Sequence, residues 1–277
     1  MTYSLNDRSP ALPPQPLAAP AFVSVLSEAA QPFYAALAQH LNVGGQPGVL
    51  SDAPDGLERL LSGEAPFGAL CGLLYRRHRH QLDLLAAAVP TSAQARGRAV
   101  YFSQIVVRRD HPATRLGQLR GARWAVNETA SFSGYVALLA QLRRSGEDLT
   151  FLGQPSLTGS HLNSLRWLRS GLADAAAVDS SVLNLALRQD PVLAAEVKVI
   201  ASLGPYAAPP LVVHRSVPQE TRTDLLRQLA ALPGHAEGRR VLALGQVSRF
   251  ARVRERDYDA LEVAARWAEP LWRSAHD

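Results

Sequence analysis

Cysteine, methionine and lysine each occur once in the 277 residues. A solitary Cys71 excludes an internal disulphide, so no disulphide framework holds this fold. The eight histidines are scattered. His78, His80, His111, His214 and His235 lack the spacing of metal ligands, which excludes a zinc finger or a Cys-rich cluster. No uninterrupted run of about 18 apolar residues occurs, so no membrane-spanning segment is expected. A P-loop and a G-x-G-x-x-G turn are both missing, and with them the support for nucleotide use. No G-x-S-x-G elbow marks a serine hydrolase. No cofactor and no metal are expected.

Charge is sparse, at 19% of residues, against 47% hydrophobic. That apolar share is ample for a core and excludes disorder for most of the chain. The net charge of +5 comes almost wholly from arginine, and its pairs are scattered (Arg76-Arg77, Arg108-Arg109, Arg143-Arg144, Arg239-Arg240). A nucleic-acid binder concentrates such charge on one face or in a tail, so no nucleic-acid partner is expected. Residues 1–20 carry Pro10, Pro13, Pro14, Pro16 and Pro20, which forbid a helix and favour an extended tail. They show no basic segment followed by an apolar one, so no signal peptide is visible. The reading leaves open a cytoplasmic protein or an exported one whose leader has been removed.

After the tail, short apolar runs alternate with helical patterns. Strands are expected at Ala21–Leu26, Gly48–Ser51, Phe67–Cys71 and Leu82–Val89, with helices at Pro32–Leu41 and Pro54–Leu61. Arg76–His80 reads as a solvated basic turn. A second α/β segment follows, with strands at Ala99–Val107, Arg123–Val126, Leu149–Leu152, Ala173–Val178 and Glu196–Leu203. Its helices are expected at Leu116–Leu119, Ser133–Arg144, Ser160–Ser170 and Ser180–Arg188. The chain then returns to the first style, with a strand at Pro210–His214 and helices at Pro218–Leu232 and Tyr258–Trp272. The alternation defines an α/β protein in two lobes. The first lobe is discontinuous (21–100 plus 206–277) and the second spans 101–205. Ligands of such folds sit between the lobes, near strand ends and helix starts.

Three strand–loop–helix junctions fall in the second segment. Asn127–Tyr135 (NETASFSGY) places Ser131, Ser133 and Gly134 at a helix start, where unpaired N–H groups and hydroxyls suit a tetrahedral oxyanion. Thr158–His161 opens the next helix with Ser160 and an imidazole. Asp179 with Ser180 and Ser181 opens a third. Taken singly, each is also an ordinary helix cap. Adjacent Ser160 and His161 cannot easily adopt catalytic geometry, which argues against a nucleophile triad with Asp179. Cys71 is either a small buried hydrophobe or a residue at the lip of a pocket.

Taken together, these residues resemble the phosphate/phosphite/phosphonate-binding proteins of ABC transporters, of the type II periplasmic-binding-protein fold. The resemblance is carried by Tyr101-Phe102-Ser103, Leu116–Gly121, Ser131–Gly134 (SFSG), Gly159-Ser160-His161, Gly171–Asp179 (GLADAAAVD), Ala69–Gly72 with Tyr75, and Phe250–Val253 with Asp257-Tyr258. It implies two lobes, each a mixed sheet flanked by helices, with the ligand cleft between them. It also implies an oxyanion held by Ser131, Ser133, Tyr101 and His161, with Phe132, Gly134, Ser160, Asp179, Cys71, Tyr75 and Ser27 counted with the site. The family turn often reads Ser-Thr-Ser-Gly. Phe132 here replaces the central hydroxyl, which removes a donor and adds an apolar face, pointing away from free phosphate or a simple phosphonate. The resemblance implies a periplasmic, monomeric solute-binding protein partnered by an ABC permease. A cytoplasmic small-acid enzyme or a ligand sensor on the same fold is the alternative.

Overall fold

The computed structural model describes residues 21–43, 46–51, 55–153 and 155–274. The proline-rich tail expected over residues 1–20 lies outside them. The chain opens with β1 (Ala21–Ser24), α1 (Gln31–His40), β2 (Asn42–Val43), β3 (Gln46–Pro47), β4 (Val49–Ser51), α2 (Gly56–Ser62), β5 (Phe67–Ala69), α3 (Gly72–His78) and β6 (Leu82–Pro90). Next come β7 (Val100–Arg108), β8 (Trp124–Val126), α4 (Ala137–Arg144), β9 (Ser156–Leu157), α5 (His161–Ser170), β10 (Ala175–Asp179), α6 (Ser180–Gln189), α7 (Pro191–Glu196) and β11 (Val197–Ala207). It closes with β12 (Pro210–His214), α8 (Gln219–Ala231), α9 (Ala236–Leu244), β13 (Val247–Ala251) and α10 (Asp259–Ser274).

Two mixed sheets result. One has the order β13-β6-β12-β5-β1-β4, with β1 parallel to β4 and β5, and β12 antiparallel to β5 and β6. The other has the order β11-β7-β10-β8-β9. The chain passes between the sheets twice, after β6 and after β11. These crossings run side by side: Tyr206 and Ala207 pair with Tyr101 and Val100, and Ala208 N–H donates to Ala99 O at 3.0 Å.

Three differences between sequence and structure outside the site have clear physical reasons. Leu149–Leu152 is a 3-10 turn rather than a strand, because the Asp148 carboxylate accepts from Thr150 N at 2.9 Å and caps it. The edge position belongs to β9. Arg76–His80 is not a solvated turn: Arg76, Arg77 and His78 form the last turn of α3. The Arg76 guanidinium makes a two-pronged contact with Glu262 at 2.7 and 2.9 Å, and its side chain is 11% exposed. Finally, α10, expected with the first lobe, lies along α4 of the second. Its Leu261, Ala264, Ala268 and Leu271 recur at helical spacing and join Leu138, Leu139 and Leu142 in one core. No helix among the described residues is long and apolar enough to cross a membrane.

Candidate functional site

The loops that follow β1, β5, β8 and β10 converge on a cleft of about 400 Å3 between the sheets. Of the residues singled out in the sequence, Ser27, Cys71, Tyr101, Ser131, Phe132, Ser133, Ser160, His161 and Asp179 line it. Tyr75 does not. It faces inward from α3, is 1% exposed and packs on Tyr258 at 5.4 Å between ring centres, so it is a core residue.

The serine-rich junction is not a plain helix start. Phe132–Val136 form a wide π turn that feeds α4, where the sequence suggests one continuous α-helix. Ser131 caps this turn by accepting from Gly134 N at 3.1 Å, which leaves its O–H free to donate. Gly134 does not line the cleft but shapes it. A Cβ there would lie 1.6 Å from Asn127 Oδ1 and 3.1 Å from His161 Cε1. The Phe132 ring is among the apolar groups that line the cleft, packed tightly into its wall. It is 1% exposed and stands edge-on to Tyr206 at 4.6 Å.

Ser133 is the centre of the polar group. Its Oγ lies 3.3 Å from His161 Nε2, and it is among the groups that hold the Asp179 carboxyl down. Ser103 Oγ donates to Ser133 O at 2.5 Å and fixes the backbone. Burial drives the imidazole of His161 down to about 4, so it is neutral at pH 7. Burial also pushes the Asp179 carboxyl up to about 6, against the opposing hydrogen bonds from Ser181 N, Val182 N and the hydroxyls of Ser181 and Ser133. Tyr34 and Tyr101 are held well above the usual phenol range, chiefly by burial. Both therefore remain O–H donors. Burial likewise raises the Cys71 thiol.

The array is not a catalytic triad. In a triad the carboxylate orients the histidine through Nδ1. Here His161 and Asp179 both address Ser133, and His161 Nδ1 has no partner. Ser160 caps α5 by accepting from Asn163 N at 3.1 Å, and it reaches Glu28 of the other lobe at 3.3 Å. Ser27 caps the short turn Glu28–Ala30.

Sequence reasoning passed over Tyr34, Asn127 and Gln246, which also line the cleft. Asn127 stood in the quoted motif, and its Oδ1 is buried without a partner. Tyr34 neighbours a helical apolar face and carries no signal of its own. Charged residues on the lining are Asp179, Glu28, Glu128 and Arg77. An anion is therefore met mainly by neutral donors.

Asp179 gives the molecule a pH signature. A carboxyl raised in the fold favours the protonated folded form. Its contribution is full below about pH 4 and disappears as pH rises through about 6. The Asp179 contribution is expected to fall by about 3 kcal/mol across this window, read as the difference between wild type and variant, because the depressed imidazole of His161 gives wild-type stability an opposing slope. The Asp179→Asn variant keeps a cap-competent side chain and is expected to lose that slope. Urea unfolding at pH 4.5, 6 and 7.5 checks it, and parallel pH profiles for the two proteins would reject it.

Two lobes are joined by paired crossing strands, with hydroxyls and helix starts facing the cleft between them, the architecture of a two-lobed binding protein. The family model described as "ABC transporter, phosphonate, periplasmic substrate-binding protein" matches residues 20–258, and the chain belongs to that family. The family comprises periplasmic substrate-binding proteins rather than enzymes. No curated protein matches the sequence.

Among solved structures, the fold is similar to PhnD1 of Prochlorococcus marinus in complex with methylphosphonate. That match has 14% identity and a TM-score of 0.76, covering 90% of this chain and 97% of that one. It is similar to a binding protein component of an ABC phosphonate transporter from Pseudomonas aeruginosa, with 16% identity and a TM-score of 0.75, covering 94% and 89%. It also resembles the periplasmic aliphatic sulphonate binding protein SsuA of Escherichia coli, with 17% identity and a TM-score of 0.57, covering 92% and 88%. These likenesses place the chain in the type II periplasmic-binding-protein fold.

Proposed function

We propose that the chain captures a small phosphonate-type tetrahedral oxyanion at Ser131, Ser133 and His161 and delivers it to an ABC permease from the periplasm. The observation that carries this reading is the Ser133 junction. A hydroxyl, a neutral imidazole and a carboxyl meet there beside two buried polar atoms without partners, Asn127 Oδ1 and His161 Nδ1. Buried polar atoms left unpaired are costly, and an incoming ligand with its own donors and acceptors relieves that cost.

Ser131, Ser133, Tyr34 and Tyr101 supply O–H donors, and the wide turn adds N–H groups with their positive dipole end. Asp179 is the complementary acceptor for a proton or an amino group on the ligand. Closure is supported by Ser160 with Glu28, and by Gln246 Nε2 donating to Asn184 O at 2.8 Å, since each pair bridges the lobes. Calorimetry with phosphate, phosphite, methylphosphonate, aminoethylphosphonate and sulphate tests the reading. Binding of at least one phosphorus oxyanion is expected, and no heat or melting shift with any of the five would overturn it.

A further inference from the structure

The oxyanion site uses only part of the cleft. At roughly 30 Å3 per non-hydrogen atom, the share of a water in the liquid, the five heavy atoms of methylphosphonate fill about 150 Å3. The cleft encloses about 400 Å3, a size that suits a larger organic ligand. The remaining space has a chemical character of its own. Phe33, Ala88, Val182, Leu185 and Val247 line it with hydrocarbon.

These residues come from four elements of both lobes, and specific contacts bring them to one end. Gly245 packs so closely on Phe33 that a Cβ there would lie 2.7 Å from its ring. Val247 pairs with Pro90 at the end of β6. Between them, Gln246 adopts a left-handed backbone (φ 52°), accepts from Thr91 N at 2.9 Å and sends its side chain across to Asn184 O at 2.8 Å. A non-glycine residue held in that region is uncommon, and such residues cluster at ligand clamps. Gln246 therefore ties the two lobes together over the apolar end.

The distance between the two ends is readable along α6. Asp179 caps the helix at the polar end, and Val182 and Leu185 follow three and six positions later, on one face. Leu185 is thus about 9 Å from the acid along the helix axis. The charged lining residues Asp179, Glu28, Glu128 and Arg77 are not among the residues that build this end.

We propose that the cleft holds a second, apolar subsite, and that the ligand is a tetrahedral oxyanion bearing an unbranched or aromatic hydrocarbon substituent of about four to six carbons. The head sits at Ser131, Ser133 and His161, and the substituent runs along α6 to Phe33, Leu185 and Val247. This inference rests on the oxyanion reading above. Head groups that share the tetrahedral chemistry (phosphonate, phosphate monoester, sulphonate) fit the polar end alike.

The test is calorimetry of the full chain with methyl-, ethyl-, butyl-, hexyl- and phenylphosphonate, with butyl phosphate and butanesulphonate as head-group arms. Affinity is expected to rise about threefold to fourfold per added methylene up to butyl. The same gain over the shortest member in a phosphate or sulphonate series also supports the subsite and identifies the head. If methylphosphonate binds and the longer chains bind no better, the apolar subsite is overturned while the oxyanion reading stands. If no member of any series binds, both fall. Leu185→Asn is expected to reduce the butyl-over-methyl gain by about tenfold. An undiminished gain in a folded variant would remove α6 from the subsite.

Discussion

Replacement of Ser133 by alanine is expected to weaken ligand binding by about 10- to 100-fold. A hydrogen bond to a charged group contributes roughly 1.5–3 kcal/mol net, which spans that range. Ser133 also has a second role. Its hydroxyl is the hydrogen-bond partner of His161 Nε2 and one of the groups that hold down the Asp179 carboxyl. Removing it leaves both ring nitrogens of His161 without a hydrogen-bonding partner in a buried setting, since Nδ1 already has none. The carboxyl of Asp179 should then rise further, so the variant's pH profile moves to higher pH as its affinity falls. Ser131→Ala is the informative comparison. Its acceptor is committed to Gly134 N, so that change costs about 1 kcal/mol of capping in addition to a ligand contact. Calorimetry at pH 5.5 and 7.5 separates the two. An unchanged Kd for Ser133→Ala at both pH values would move the oxyanion elsewhere in the cleft.

The parts of this site legible in the sequence are those written locally. A Ser, Thr or Asp between an apolar run and a helical pattern is a helix start, and helix starts at neighbouring strand ends face one crevice. Ser131, Ser160 and Asp179 were found in this way, and each does cap the turn or helix it precedes. What stayed hidden depends on distant residues. Arg76 looks like a solvated charge until Glu262, 186 positions away, is seen to grip it. Tyr75 looks like a pocket residue until Tyr258 covers it.

The SFSG turn suggests an apolar face from Phe132, which is among the lining residues. Further hydrocarbon of the cleft comes from Phe33, Leu185 and Val247, which no local pattern connects. The false strand at Leu149–Leu152 has a different origin. Four residues carry too little periodicity to tell an extended run from a 3-10 turn, and the deciding signal was the capping Asp148 before them. The histidine is a similar case. Its position was legible, but its neutrality was not, because burial rather than any neighbour in sequence sets it. Asp179, and not His161, is therefore the cleft group pushed towards the neutral range, at about 6.

Gly134→Ala is expected to damage both the fold and the site more than any single hydroxyl deletion. The new methyl carbon would stand 1.6 Å from Asn127 Oδ1 and 2.7 Å from Asn127 Cγ, so the asparagine side chain must leave its place. It has little freedom to do so. Asn127 is 7% exposed, and its backbone C=O is held by Gly159 N at 3.0 Å. His161 Cε1, at 3.1 Å from the same point, blocks the neighbouring direction. Overpacking of this kind costs about 1–3 kcal/mol, with a further 1–3 kcal/mol when a buried polar group is displaced. For a chain of this size the melting temperature should fall by roughly 5–12 °C. Binding should fall beyond the Ser133→Ala level, because Ser133, Asn127 and His161 are disturbed together. Gly117→Ala is the matched control, since a Cβ there meets nothing within 4 Å. It is expected to be neutral or slightly stabilising through the unfolded chain. Thermal melts of the two variants with and without ligand decide the matter. Equal melting temperatures and equal ligand-induced shifts would mean that the close approach of Gly134 to Asn127 does not organise the site.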